Sequence, residues 1–219
     1  MATCQVNFCY NQSSTLIPEI GLDLNHKKSE MPNVSVLRWV IFYFLGVVEE
    51  GGFVQRSSKC FKLKDGGWQL FANLKQKRAS AVGIVFEEKL HIFGGIDRDK
   101  LNSTEIVSSD GEVIDGPNMP IRVSAHAITS INATVSIISG GIEDRFITSQ
   151  TWYYDHATQI FHAGPTLLEG RLNHGSATIV DKDTKAKIPV VTGGFKSFGG
   201  SKLVSTELLI NGEWKIGET

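Results

Sequence analysis

Leu90-His91-Ile92-Phe93-Gly94-Gly95, Val135-Ser136-Ile137-Ile138-Ser139-Gly140-Gly141 and Pro189-Val190-Val191-Thr192-Gly193-Gly194 are three copies of one phrase. Each is an apolar, strand-forming run that stops at a glycine pair. The pairs recur at intervals of 46 and 53 residues, the range of repeats that carry several β-strands each. Such a repeat fixes the architecture before any single side chain is interpreted, because each unit contacts and stacks on its neighbours.

The phrase has further members on both sides. An arginine precedes each pair: Arg78, Arg122 and Arg171, spaced by 44 and 49 residues. A threonine opens the next apolar run in Thr104-Glu105, Thr151-Trp152 and Thr206-Glu207. A turn follows at Asp110-Gly111, Asp155-His156-Ala157 and Asn211-Gly212, and then an aromatic in two units, Phe161 and Trp214. Asp-Gly and Asn-Gly suit type I′ hairpins, whose two central residues need positive φ. One unit therefore reads strand, turn, strand, Gly-Gly loop, strand, turn, strand.

These residues together resemble the kelch repeat. The resemblance runs from about Arg78 to Trp214, with a degraded copy upstream in which Gly51-Gly52 precede Cys60-Phe61-Lys62-Leu63, the turn Asp65-Gly66-Gly67 and Trp68. It implies an all-β, kelch-type β-propeller, incomplete or minimal at about four blades, since closed propellers usually have 4–8. Two positions depart from the pattern. Val113 stands where an aromatic is expected, and Pro189 sits in an interior strand, where it removes a ladder donor.

Composition fits a globular chain. Of 219 residues, 41% are hydrophobic and 21% charged, with a net charge of −1. That balance gives no electrostatic case for nucleic acid or an anionic membrane surface. The three cysteines, Cys4, Cys9 and Cys60, form no CxxC pair, and free thiols are expected.

The domain reading divides the chain in three. Residues 1–33 are expected to be an irregular, poorly ordered tail. Residues 34–74 hold either a degraded first blade or a signal-like segment plus a partial blade. Residues 75–219 hold three kelch-type blades. The apolar run Trp39–Val48 has 10 residues, short of the ~20 that a transmembrane helix needs, so no transmembrane helix is expected. It reads as a buried strand, or as the apolar core of a secretory signal starting at Met31 with Arg38 as its charged flank. Sequons at Asn11, Asn33, Asn102 and Asn132 lean toward secretion, and Asn102 and Asn132 are expected to be exposed glycosylation acceptors. Cytoplasmic and secreted locations both remain open.

Most of the marked residues read as scaffold. Gly94, Gly95, Gly140, Gly141, Gly193 and Gly194 allow positive φ and close backbone approach. Arg78, Arg122 and Arg171 are expected to satisfy carbonyls of a neighbouring blade with their planar forks. His91, His126 and His174 do not repeat in every unit, so no metal ring is expected. The loop Gly194–Lys202 lacks the order of a phosphate-binding loop. No catalytic residue, metal or cofactor is assigned.

Antiparallel connectivity places the Gly-Gly loops and the inter-blade connections at one end of the sheets. Loops on a rigid scaffold commonly carry recognition. Asp97, Arg98, Glu143, Asp144, Arg145 and Lys196 are the candidate contacts there. Kelch propellers commonly scaffold protein binding, so the resemblance implies a non-catalytic interaction module with another protein as partner, and self-association if the propeller is open. Two alternatives stand beside it. One is a sugar-active enzyme of mutarotase type, with Glu143, Arg145 and Arg122 supplying acid–base and anion-binding groups. The other is a truncated ubiquitin-ligase substrate adaptor.

Overall fold

The computed structural model describes residues 47–48, 54–64, 67–198, 200 and 202–217. The readings of the 1–33 tail, of Trp39 to Gly46, of Cys4 and Cys9, of Asn11 and Asn33, and of Gly51-Gly52 lie outside the described residues. Among the described residues there is no helix, and every strand pair is antiparallel. No helix there is long and apolar enough to cross a membrane.

Strands β1 (Val47–Val48) and β2 (Val54–Gln55) pair with each other. Strands β3 (Ser57–Lys64) and β4 (Gly67–Arg78) form a hairpin. Three four-stranded sheets follow, one for each copy of the repeat. The first joins β5 (Val82–Phe86), β6 (Lys89–Phe93), β7 (Thr104–Val107) and β8 (Val113–Asp115) in chain order. Strand β9 (Val123–Ser124) leads into the second, built from β10 (Ala127–Ser130) and β11 (Val135–Ser139). A small hairpin, β12 (Ile142–Glu143) and β13 (Phe146–Ile147), then pairs back onto β9. Strands β14 (Thr151–Asp155) and β15 (Ile160–Ala163) complete the second sheet. The third is β16 (Gly175–Val180), β17 (Lys187–Thr192), β18 (Thr206–Ile210) and β19 (Glu213–Ile216).

The first strands β5, β10 and β16 lie side by side, so consecutive sheets meet along their leading strands. Period-2 alternation then sends each sheet's side chains to its two neighbours. Cys60, Leu74, Leu90, Ile92 and Val107 pack between the β3–β4 hairpin and the first sheet. Val82, Ile84, Phe93, Ile128, Ile138 and Tyr154 pack between the first and second. Ile137, Leu167, Val191 and Trp214 pack between the second and third. The core is therefore a series of inter-sheet layers, each set by one repeat meeting the next. Val113, Phe161 and Trp214 hold the same place, opposite Val107, Tyr154 and Leu209. Val113 fills the aromatic position with a smaller apolar side chain that packs on the first layer.

Several local expectations need correction. Asp110-Gly111 is not a type I′ turn, because only Gly111 has positive φ; Gly111 N–H donates to Ser108 O, and the loop closes through Ser108 N–H to Glu112 O. Asn211-Gly212 is type I′ (φ 54° and 81°). Glu87-Glu88 is another, at φ 45° and 63°, between the paired Phe86 and Lys89, with no glycine to signal it. Strand β10 begins only at Ala127, because Ala125 just before it has φ 56°. Residue 75, read as the start of the three-blade region, falls inside β4. Pro189 keeps its place in β17 opposite Thr178, yet the β17–β18 ladder stops at Val190, the residue beside it. The missing N–H explains that shortened ladder.

Candidate functional site

The Gly-Gly loops and the segments entering each sheet do share one end of the molecule. Ile96 bridges Ala79 and Lys100, Phe195 bridges Leu172 and Lys202, and Ile142 pairs with Ser124. Each loop is thus stitched to the segment that leads into its own sheet. The glycines make the approach feasible. A Cβ on Gly94 (φ 55°) would lie 2.6 Å from Val123 O, and one on Gly140 (φ 58°) 2.5 Å from Arg171 O. No side chain fits there.

The bridges also set which residues are equivalent. Ala79, Ser124 and Leu172 hold one position, so the preceding position holds Arg78, Val123 and Arg171. Arg122 is displaced by one residue from the place its spacing suggested, and it is exposed. Arg78 and Arg171 are fully buried. Arg78 donates to Gly94 O (2.7 Å), Ser103 O (3.2 Å), Ser103 Oγ (3.2 Å) and Glu105 Oε1 (2.5 Å). Arg171 repeats the set on Gly193 O (2.9 Å), Ser205 O (3.2 Å), Ser205 Oγ (3.1 Å) and Glu207 Oε1 (2.6 Å). The carbonyls belong to the arginine's own repeat, not to a neighbouring sheet as expected. Each glutamate then accepts two backbone N–H groups of the incoming connection. Lys75 and Gln76 donate to Glu105 (2.7 and 3.3 Å), and Leu168 and Glu169 donate to Glu207 (2.7 and 3.3 Å).

The second sheet replaces this whole clamp at once. Val123 stands for the arginine, Trp152 for the glutamate and Gln150 for the serine. Pro120, which has no N–H, stands where Lys75 and Leu168 donate. Val123 is buried in the layer between the first and second sheets, and Trp152 packs against that layer. With the acceptor gone, the donor that needed it is gone too.

On this fixed base the candidate residues sit as follows. Asp97 is held by Arg56, which donates to its backbone O at 2.6 Å and reaches Oδ1 at 3.5 Å. Arg98, Asp144, Arg145 and Lys196 are exposed, while Glu143 is half-buried in the ladder opposite Val123. Lys100 donates through Nζ to Asp144 O and so ties the first loop to the second. The structure brings Asp97, Arg98, Glu143, Asp144 and Arg145 into two adjoining loops, with Lys196 in the third. Sequence reasoning missed Phe146 and Phe198, exposed at 77% and 64%. Their signal was legible: an aromatic among polar residues in a Gly-Gly loop.

Other marked residues are internal. Trp214 is buried and donates Nε1–H to Pro165 O at 3.0 Å. Burial pushes His126 and His174 down to about 3, with Arg171 and then His126 adding to the fall at His174. Burial holds His91 at about 3 and His156 at about 4, and it raises the Cys60 thiol to about 12. Among the described residues, no three His, Cys, Asp or Glu side chains gather as a metal site. Asn132 is exposed at a hairpin tip, and its Oδ1 accepts from Thr134 and Val135 N–H. Asn102 departs from expectation: it is half-buried, donating Nδ2–H to Met119 O at 3.4 Å and accepting Met119 N–H at its own carbonyl.

No family model matches the chain, and no curated protein matches it in sequence. In fold it is similar to the solved structure of YjhT, with a TM-score of 0.62 and 14% identity over 74% of this chain. The match spans 59% of the length of YjhT. The likeness concerns fold alone, an all-β, propeller-like arrangement of small antiparallel sheets.

Proposed function

We propose that the chain is a kelch-type propeller module without catalytic function, which binds another protein through the end where Gly-Gly loops and inter-sheet connections meet. The observation that carries this reading is the set Arg98, Arg145, Phe146 and Phe198, all exposed on loops anchored by buried backbone ladders. Arginines and aromatics are the residues most enriched in protein–protein interfaces. Apolar aromatics held in water at the tips of pinned loops gain from being covered, and the loops have little ordering entropy left to lose on binding.

The test is quantitative affinity capture from the native cell type with three baits: wild type, R98A/R145A/F146A/F198A, and E87A/N132A/K182A at the opposite end. Bound proteins lost with the first variant and kept with the second support the reading, given equal thermal midpoints. Binding that follows the opposite end refutes it. So does acceleration of sugar anomer exchange by the purified chain that Glu143→Gln abolishes.

A further inference from the structure

The exposed apolar side chains of the loop end gather at one place. Val204, Phe146 and Phe198 are the three most exposed large hydrophobic side chains among the described residues, at 86%, 77% and 64%, and Leu168 stands beside them at 54%. Backbone contacts tie them into a row. Ser205 Oγ donates to Glu169 Oε2 at 2.9 Å, which sets Val204 and Leu168 on either side of that bond. Leu167 N–H donates to Ser149 O at 2.8 Å, so the connection carrying Leu168 runs along the segment that follows Phe146-Ile147. Gly170 permits the approach, since a Cβ there would lie 3.0 Å from Ile147 O. Phe198 lies in the loop closed by the Phe195–Lys202 bridge, just ahead of Val204.

The fold itself does not require apolar side chains here. The places of Leu168 and Val204 are held by Lys75 and Asn102 in the first sheet, and by Pro120 and Ser149 in the second. The backbone does the same work with either side chain: Lys75 N–H donates to Glu105 as Leu168 N–H donates to Glu207, both at 2.7 Å. A leucine and a valine kept in water beside two exposed phenylalanines therefore mark an interaction surface.

The charges around the row are mostly of one sign. Arg145 adjoins Phe146, and Lys196 and Lys202 flank Phe198; all three are exposed and form no ion pair among the described residues. Glu169 is taken up by Ser205 and lies 4.0 Å from Arg171, and Glu143 is half-buried in its ladder. Asp144 is left as the exposed carboxylate of the row. Three free cations against one carboxylate favour an anionic partner and disfavour a basic one. We propose that this row receives an acidic amphipathic segment of the partner protein, an inference that rests on the protein-binding reading above. Apolar side chains of that segment cover Leu168, Val204, Phe146 and Phe198, and its carboxylates meet Arg145, Lys196 and Lys202. The Ser205–Glu169 bond favours a peptide over a lipid surface. A segment leaves that bond at a wet rim, whereas sinking both its apolar neighbours into a bilayer would dehydrate a carboxylate.

Panning a random dodecapeptide phage library on the immobilised full chain, read by sequencing, tests this. Peptides enriched on the wild type should carry Asp and Glu at least about twofold above the input, Lys and Arg below it, and two or more large apolar residues. Leu168→Ser/Val204→Asn should lower their recovery at least about tenfold at an unchanged thermal midpoint, and Val204→Asn alone serves if the double variant fails to fold. Arg145→Glu/Lys196→Glu/Lys202→Glu should invert the charge of the enriched peptides. Neutral or basic peptides on the wild type, or acidic ones that ignore both variants, overturn the proposal. A library from which nothing is enriched overturns it too, and sedimentation with phosphatidylserine vesicles that Leu168→Ser/Val204→Asn abolishes would then assign the row to a lipid surface. The protein-binding reading fails separately. Cellular proteins lost with R98A/R145A/F146A/F198A yet kept with Leu168→Ser/Val204→Asn leave that reading standing and sink this one.

Discussion

Grafting the second sheet's apolar solution onto the third tests the clamp directly. Arg171 and Glu207 are both fully buried and 2.6 Å apart. Removing one partner of such a pair leaves a charge in the interior and costs about 3–5 kcal/mol. Arg171→Val alone strands the Glu207 carboxylate and takes donors from Gly193 O and Ser205 O. Glu207→Trp alone strands the guanidinium. Additive behaviour would put the double variant at about 6–10 kcal/mol, enough to unfold a typical domain. Val123 and Trp152 hold these places in the second sheet, and replacing a buried pair by apolar residues is often neutral, so R171V/E207W should lose no more than about 3 kcal/mol. Leu168→Pro supplies a change of sign. In the wild type it deletes the 2.7 Å bond from Leu168 N–H to Glu207 and should cost about 1–3 kcal/mol. In the R171V/E207W background that N–H has no acceptor, so the proline should be neutral or stabilising, as Pro120 is in its own repeat. Urea unfolding followed by circular dichroism at pH 7 gives each value. Additive costs around the cycle, or the same sign for Leu168→Pro in both backgrounds, would refute the reasoning.

Acid should destabilise the fold well above the pH at which carboxylates titrate. His91, His126 and His174 are held at about 3 and His156 at about 4. The unfolded chain, with histidines near 6.5, therefore binds more protons below that pH, so stability is full above about 6.5 and falls as pH drops toward 3–4. At pH 5 the loss is on the order of 2 kcal/mol for each such histidine; a urea midpoint unchanged between pH 7 and pH 5 would contradict this. Glu87→Asn/Glu88→Gly puts the preferred residues into the type I′ turn and should gain about 1 kcal/mol, read as a higher thermal midpoint. Gly140→Ala should cost well over 2 kcal/mol, because its Cβ would meet Arg171 O. Gly212→Ala, with nothing within 4 Å, should cost about 1–2 kcal/mol in thermal melts from backbone strain alone.

The parts of the fold legible in sequence were those where one physical demand recurs at one position. A glycine is forced where a carbonyl passes within 2.5–2.7 Å of where a Cβ would stand: that of the segment entering its own sheet at Gly95, Gly141 and Gly194, and that of the next repeat at Gly94 and Gly140. A further repeating glycine went unread: Gly116, Gly164 and Gly217 each donate N–H to the threonine that opens the third strand, at 2.8, 2.9 and 2.8 Å. It was hidden because each lies in a connection of otherwise unlike residues. The β12–β13 hairpin was also missed, since two-residue strands carry too few positions to show alternation. On the candidate face, charge drew attention to Asp97, which Arg56 holds, and to Glu143, which lies half-buried in a ladder. Phe146, in a two-residue strand too short to show alternation, and Phe198, in a loop, went unweighted.

Arg122 shows why spacing alone misleads. An arginine lies one residue from the required place, and the eye accepts it because the repeat length varies anyway. Only the partners decide. A buried guanidinium requires a carboxylate on the third strand, and that carboxylate in turn serves the N–H groups of the connection. In the second repeat the carboxylate position is Trp152 and a donor position is Pro120, so a buried arginine at position 123 would be without a counterion. Read as a set of four positions, Val123, Gln150, Trp152 and Pro120 identify the apolar variant from sequence, and they place Arg122 in solvent without coordinates. The unit of inference in such chains is the group of residues that satisfy one another, and a single matched letter carries little of it.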